Sequence, residues 1–325
     1  MGRIHVIATG GTIAMALDKE AGGAVLALSG ADFLKQLKRR RHCELPDISS
    51  EEYGPLPSSH FTVQHLWGLR QRVAAALSDP GVDGIVVTHG TDSLEETAYL
   101  LDLTVPGDKP MVVTGAMRVA SEPGYEGVAN LLSAVRVAAS TDARGLGALV
   151  VLNEEIHAAR DVTKTHSQSL DTFKSSFWGP LGRVEADRIT IERRIARSII
   201  LCPHLEPNVA LFKLVVGLGS EPLRDAVIRG VRGVVIESFG GGRVPPWWLE
   251  AIEETIGQGI AVVMTTRCPT GRVYDCYGYT GAYRDLVRVG CLFPEGLNGQ
   301  KARVRLMAVL GATQNLQEAI SLWTS

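Results

Sequence analysis

The sequence predicts an α/β protein built as two α/β domains with mainly parallel sheets, the N-terminal domain larger than the C-terminal one. Three observations support this. Short apolar runs recur at Ile4 to Ala8, Ile85 to Val87, Met111 to Val113, Ala148 to Leu152, Val234 to Ile236 and Ile260 to Met264, most of them closing on Thr or Asn. Strands covered on both faces read this way, whereas half-exposed strands alternate. Segments with helical spacing lie between the runs. Finally, a polar stretch of mixed charge, Arg183 to Arg197, interrupts the alternation and is followed by Pro203 and Pro207. Residues 186–206 therefore read as a linker between an N-terminal catalytic domain over residues 1–185 and a C-terminal domain over residues 207–325.

Taken in order, the first run opens into Thr9-Gly10-Gly11-Thr12-Ile13-Ala14. Residues His65 to Leu77 then place Leu66, Leu69, Val73 and Leu77 on one helical face. The run Ile85 to Val87 ends in Thr88-His89-Gly90-Thr91-Asp92-Ser93. Ser93 with Glu96 fits a capping box, and Leu94, Ala98 and Leu101 supply the apolar stripe of the helix behind it. Val128 to Ala139 is a further amphipathic segment. Asn153 to Leu170, with Asp161, Thr163, Lys164 and Thr165, reads on its own as a solvated loop. Trp247 to Ile256 begins after Pro245-Pro246, a normal helix entrance.

Composition limits the partners. Thirty-three basic and 35 acidic residues give a formal charge of -2 without long blocks, so no footprint for nucleic acid or an anionic membrane is visible. No apolar stretch reaches the ~20 residues of a membrane helix, and the first residues lack a secretory pattern. A soluble, cytoplasmic protein acting on a small molecule is expected. The five cysteines, Cys43, Cys202, Cys268, Cys276 and Cys291, are irregularly spaced, and reduced, mostly buried thiols are expected of them.

In open parallel sheets, ligands bind beyond the carboxyl ends of strands. Two of those ends carry a threonine on a glycine-loosened turn, Thr12 and Thr91, where backbone N–H groups can face a ligand. Thr, Asp and Ser before a helix are also ordinary caps, so the turns alone leave both readings open. In the third segment, Lys164 is a cation able to favour ionisation of a neighbouring threonine or aspartate.

The stretches ATGGTIA around Thr12, THGTDSLEETA around Thr91 and Asp92, VTGAMR around Ala116 and RDVTKTHS around Lys164 resemble the bacterial-type L-asparaginases of the asparaginase/glutaminase family. So do TTRCPTG and GQKARVRL, and the matches fall in order over almost the whole chain. The resemblance implies hydrolysis of L-asparagine, with L-glutamine as the alternative amide, through a threonine nucleophile and an acyl-enzyme, without cofactor or metal. It assigns Thr12 as nucleophile and Thr91, Asp92 and Lys164 as the hydrogen-bonded group that activates attack and water. Asp92 also holds the substrate α-amino group. Ser58, with Ser59 beside it, is expected to bind the α-carboxylate, Ala116 to offer its carbonyl to the amide nitrogen, and Gly11 and Gly90 to line the substrate. A homodimer or homotetramer with shared active sites is implied. A glutaminase-leaning amidase and a non-catalytic amino-acid-binding protein of the same fold are the alternatives. A tRNA-dependent amidotransferase subunit is disfavoured, since no extension precedes the first strand.

Three departures stand out. Met15 to Ser29 lacks the tyrosine usual on the loop after TGGTIA, and Tyr277 or Tyr279 is expected to stand in. Arg243 follows Gly240-Gly241-Gly242 where an asparagine is usual, and His60 replaces an acidic residue. Other motifs carry less. Val216-Gly217-Leu218-Gly219 meets Pro222 at the third glycine position of a dinucleotide fingerprint and reads as a tight turn into a helix. Glu154, Glu155 and His157 read as exposed charge on a loop rather than metal ligands, and Cys268 as a structural thiol.

Overall fold

The computed structural model describes residues 2–38, 45–274 and 276–324; Cys43 lies outside them. The chain divides into two compact units, Met1–Ile199 and Ile200–Ser325.

The first unit contains β1 (Arg3–Ala8), the hairpin β2 (Met15–Asp18) and β3 (Gly23–Leu26), α1 (Gly30–Lys38), β4 (Asp47–Glu52), α2 (Val63–Ser78), β5 (Val82–Thr88), α3 (Leu94–Thr104), β6 (Met111–Thr114), α4 (Gly127–Ala139), β7 (Ala148–Leu152), β8 (Glu155–Ala158), the short pair β9 (Thr163–Lys164) and β10 (Phe173–Lys174), β11 (Gly182–Val184) and β12 (Ile189–Ile191). Eight of these strands form one sheet in the order β12-β11-β8-β7-β6-β5-β1-β4, parallel from β7 to β4 and antiparallel from β7 to β12. The apolar runs follow from its burial. Ile4, Val6, Val86, Val112 and Val151 pack on one face with Leu131 and Val135 of α4. Ile7, Ile85, Val87, Val113 and Val150 pack on the other with Leu69, Val73 and Leu101.

β1 runs between β4 and β5, so the strand order reverses there. The Thr12 and Thr91 turns leave the carboxyl ends of these neighbouring strands, the place where open sheets hold ligands.

Two local readings are corrected. Ser93 precedes α3, but its side chain makes no cap bond; its Oγ donates to Ser58 O at 2.8 Å instead. The capping box belongs to α2, where Thr62 pairs reciprocally with His65. Nor are Glu155 and His157 exposed loop residues. Asn153 and Glu154, both at positive φ (49° and 62°), turn the chain back into β8. His157 is buried with Nδ1 on Ser175 Oγ at 3.0 Å, and Glu155 pairs with Lys174 and Arg183. Among the described residues, no cluster of His, Cys, Asp or Glu is arranged to hold a metal.

Within 186–206, residues Ile189–Ile191 pair with β11 as the sheet edge, and Arg197 reaches back to α3. Its guanidinium contacts Asp102 Oδ1 (2.9 Å), Asp102 O (2.7 Å), Val105 O (3.0 Å) and Gly107 O (3.1 Å). It thereby neutralises a buried carboxylate and satisfies carbonyls that the end of α3 leaves open.

The second unit carries a three-stranded parallel sheet, β13 (Val209–Lys213), β14 (Gly233–Ser238) and β15 (Ala261–Thr266), with α5 (Glu221–Ile228), α6 (Pro246–Gly257), α7 (Tyr283–Arg288), α8 (Gly299–Ala312) and α9 (Leu316–Thr324). Trp248, Ile252, Ile236 and Met264 form its core. Cys268, Cys276 and Cys291 are free thiols; Cys291 is buried, but Cys268 and Cys276 are exposed, against the expectation of mostly buried thiols. Among the described residues, no helix is long and apolar enough to cross a membrane.

Candidate active site

The Thr12 and Thr91 turns meet backbone to backbone. A methyl group on Gly11, which sits at φ 80°, would lie 2.3 Å from Gly90 Cα, and one on Gly90 would lie 2.6 Å from Ser58 Oγ. Glycine alone fits at such approaches. Ser58 is buried, and its Oγ accepts from Asp92 N at 3.2 Å. Thr12, half-buried, starts a single 3-10 turn directly after Gly11.

Lys164 joins this arrangement from β9. Its Nζ donates to Thr91 Oγ1 at 2.9 Å and to Asp92 Oδ1 at 2.8 Å. Thr91 is buried and the lysine side chain only 16% exposed, while the Asp92 carboxylate is 67% exposed and open to a ligand ammonium. An ammonium donating to a threonine oxygen stabilises negative charge developing there.

The remaining expected residues are placed unequally. Ala116 is fully buried. Beside it, a methyl on Gly115 would come 2.6 Å from His89 O and 3.4 Å from Thr91 Cγ2, so this turn abuts the Thr91 turn. Both peptide groups flanking Ala116 are held, since Asn130 Nδ2 donates to Gly115 O at 3.0 Å and Met117 N donates to Glu126 Oε1. Ser59 and His60 are exposed and, among the described residues, share no hydrogen bond with the Thr91 group.

Several residues around the site escaped the sequence reading. Tyr125 donates its phenol to Ile13 O at 2.6 Å, beside Thr12, and burial pushes that phenol well up from its ordinary value. The segment after Thr12 is a hairpin held by Ala120 N on Met15 O and Leu17 N on Ser121 Oγ. Glu95 is buried in the first turn of α3 and accepts from Thr163 Oγ1. A polar residue inside an apolar helical stripe was the available signal for Asn130, and an acid in the first turn of a helix buried at every position but Glu96 for Glu95.

His89 is fully buried, with its ring 4.7 Å from that of Phe61, Nδ1 against Gly90 O at 2.8 Å and Nε2 against Thr97 Oγ1 at 3.0 Å. Loss of solvation lowers its pKa from 6.5 to about 4. A lowered folded-state value contributes stability that is present above pH 6.5 and lost as pH falls toward 4, because the unfolded imidazole takes up the proton first. The urea midpoint is expected to drop across that window, and the drop should shrink in His89→Asn. An unchanged pH slope in that variant would count against a buried neutral His89.

Both units match family domains. Residues 3–197 match the family domain described as Asparaginase, N-terminal, and residues 208–322 match the Glutaminase/Asparaginase C-terminal domain. The chain belongs to the asparaginase family. It is 37% identical over 314 residues to an L-asparaginase of Bacillus licheniformis, covering 95% of this chain and 96% of that protein. It is 32% identical to a glutaminase-asparaginase of Pseudomonas fluorescens biotype A, over 98% of this chain and 89% of that one. A crystal structure of a probable cytoplasmic L-asparaginase from Campylobacter jejuni superposes with a TM-score of 0.88, at 30% identity and over 100% of both chains. The two-domain α/β architecture is thus that of an asparaginase-family enzyme.

Proposed function

We propose that the protein hydrolyses L-asparagine to L-aspartate and ammonia through an acyl-threonine intermediate. The observation that carries this reading is the Lys164 ammonium bonded at once to Thr91 Oγ1 and Asp92 Oδ1, beside the Gly11–Gly90 contact that brings in Thr12. In this mechanism Thr12 Oγ attacks the side-chain amide carbon, and its proton passes through the Thr91–Lys164 pair to the departing nitrogen, which leaves as ammonia. Water then attacks the ester carbonyl, loses a proton to the same pair, and regenerates the Thr12 hydroxyl as aspartate departs. Backbone N–H groups of the two glycine turns supply donors for the oxyanion, as acyl transfer requires. Asp92 holds the substrate α-amino group and Ser58 its α-carboxylate, while the Ala116 carbonyl faces the amide nitrogen.

Ammonia release from asparagine against glutamine tests the substrate. Hydroxylamine added with asparagine is expected to divert the acyl-enzyme to β-aspartyl hydroxamate, as a ping-pong route requires. Ammonia without hydroxamate would exclude the covalent path. The kinship with the Pseudomonas fluorescens glutaminase-asparaginase supports glutamine as a second substrate, and that with the Campylobacter jejuni protein supports a cytoplasmic setting. No metal or cofactor enters this mechanism.

A homodimer or homotetramer with shared sites is part of the proposal. The half-exposed Tyr277 and Tyr279 rings lie 5.5 Å apart, with the Arg243 guanidinium 4.6 Å over Tyr277, an aromatic-cationic surface suited to a second copy. Specific activity is expected to fall as dilution yields monomer in sedimentation; a fully active monomer would rule out the shared site.

A further inference from the structure

β9 is two residues long, pairs with the equally short β10, and lies outside the eight-stranded sheet. Hydrogen bonds of the main sheet therefore do not set where Lys164 stands against the Thr91–Asp92 turn. A side chain does so. Glu95, three residues beyond Asp92 and 6% exposed, accepts from Thr163 Oγ1 at 3.0 Å and from Lys164 N at 3.5 Å. The other end of the same lysine donates to Thr91 and Asp92. Residues 91–95, one turn and the start of one helix, thus grip Lys164 at both its backbone and its ammonium.

We propose that Glu95 is a positioning residue for the hydrolysis, its carboxylate clamping Thr163 and the Lys164 backbone so that the ammonium reaches Thr91 Oγ1. This rests on the function proposed above. An acid in the first helical turn also favours the helix dipole, but an exposed carboxylate does that at no desolvation cost. Glu95 is instead buried and turned onto β9.

A displacement of ~1 Å in a reacting group can cost about 10²-fold in rate. Glu95→Ala is expected to lower kcat by about that factor with KM within about twofold, since Glu95 lies behind the lysine rather than against substrate. Glu95→Gln keeps an acceptor oxygen for both donors and should retain kcat within about tenfold of wild type. Thr163→Val removes the stronger of the two bonds, and its combination with Glu95→Ala should be no worse than Glu95→Ala alone. A crystal structure of Glu95→Ala should show Lys164 Nζ out of reach of Thr91 Oγ1. Should Glu95→Ala fail to fold, Glu95→Gln and Thr163→Val carry the comparison. A kcat for Glu95→Ala within twofold of wild type, equal losses in the Gln and Ala variants, or a KM that rises in step would overturn the clamp. If the wild-type protein releases no ammonia from any amide, the hydrolysis reading fails on its own; an undisplaced Lys164 in the variant crystal then overturns the clamp separately.

Discussion

Thr12→Ala is expected to lower kcat for L-asparagine by on the order of 10⁴-fold or more, with Thr91→Val close behind and both proteins folded. The size follows from the proposed mechanism, in which no acyl-enzyme forms without the Thr12 hydroxyl and, without Thr91 Oγ1, the Lys164 ammonium loses the oxygen it meets at 2.9 Å. Groups acting as one unit are strongly non-additive, so the double variant should be scarcely slower than either single one. Initial rates of ammonia release, with circular dichroism to verify folding, check this. A plain structural role for Thr91 predicts instead a stability loss of ~1 kcal/mol and near-normal turnover.

The largest effect on stability is expected at Arg197, far along the chain from those threonines. Asp102 is buried, and its carboxylate is shared between Arg197 Nε at 2.9 Å and Ala148 N at 3.0 Å. Arg197→Ala should cost about 3–5 kcal/mol, because it strands a buried charge and bares the carbonyls of Asp102, Val105 and Gly107. Arg197→Lys restores the charge but not the planar fork and should recover only part of it. Desolvation already raises the Asp102 pKa against the lowering by Arg197, and losing the arginine raises it further. A raised folded-state carboxyl loses stability as pH climbs through its folded value, so the penalty should shrink as pH falls. Chemical denaturation of Arg197→Ala at pH 8 and pH 5 decides it; equal penalties at both would show that Asp102 is not the stranded group.

The elements legible in the sequence were those buried on both faces. β7, Met111 to Val113 of β6, Ile85 to Val87 of β5 and all of β1 past Arg3 except His5 are apolar because helices cover each side of them, and the motifs at the ends of β1 and β5 drew attention to Thr12 and Thr91. β4 reads DISSEE and was invisible: it is a sheet edge paired with β1 alone, with no residue fully buried. β8 was hidden by the left-handed Asn153–Glu154 turn, which neither residue announces. Ser93 carried the pattern of a cap but turned its hydroxyl to the Ser58 carbonyl, a contact 35 residues back in sequence. Glu95 failed for the same reason, since its partner Thr163 lies 68 residues away and no local periodicity records it.

The contact between Gly11 and Gly90 also bears on how this pocket can be redesigned. The two turns touch main chain to main chain there, with no layer of side chains between them to trim or enlarge. Saturation libraries at these two positions should return the parent residue alone, and pairing them cannot help, because two added methyl groups crowd worse than one. Under the proposed function, tuning between a four-carbon and a five-carbon amide therefore falls to neighbouring side chains rather than to these two glycines.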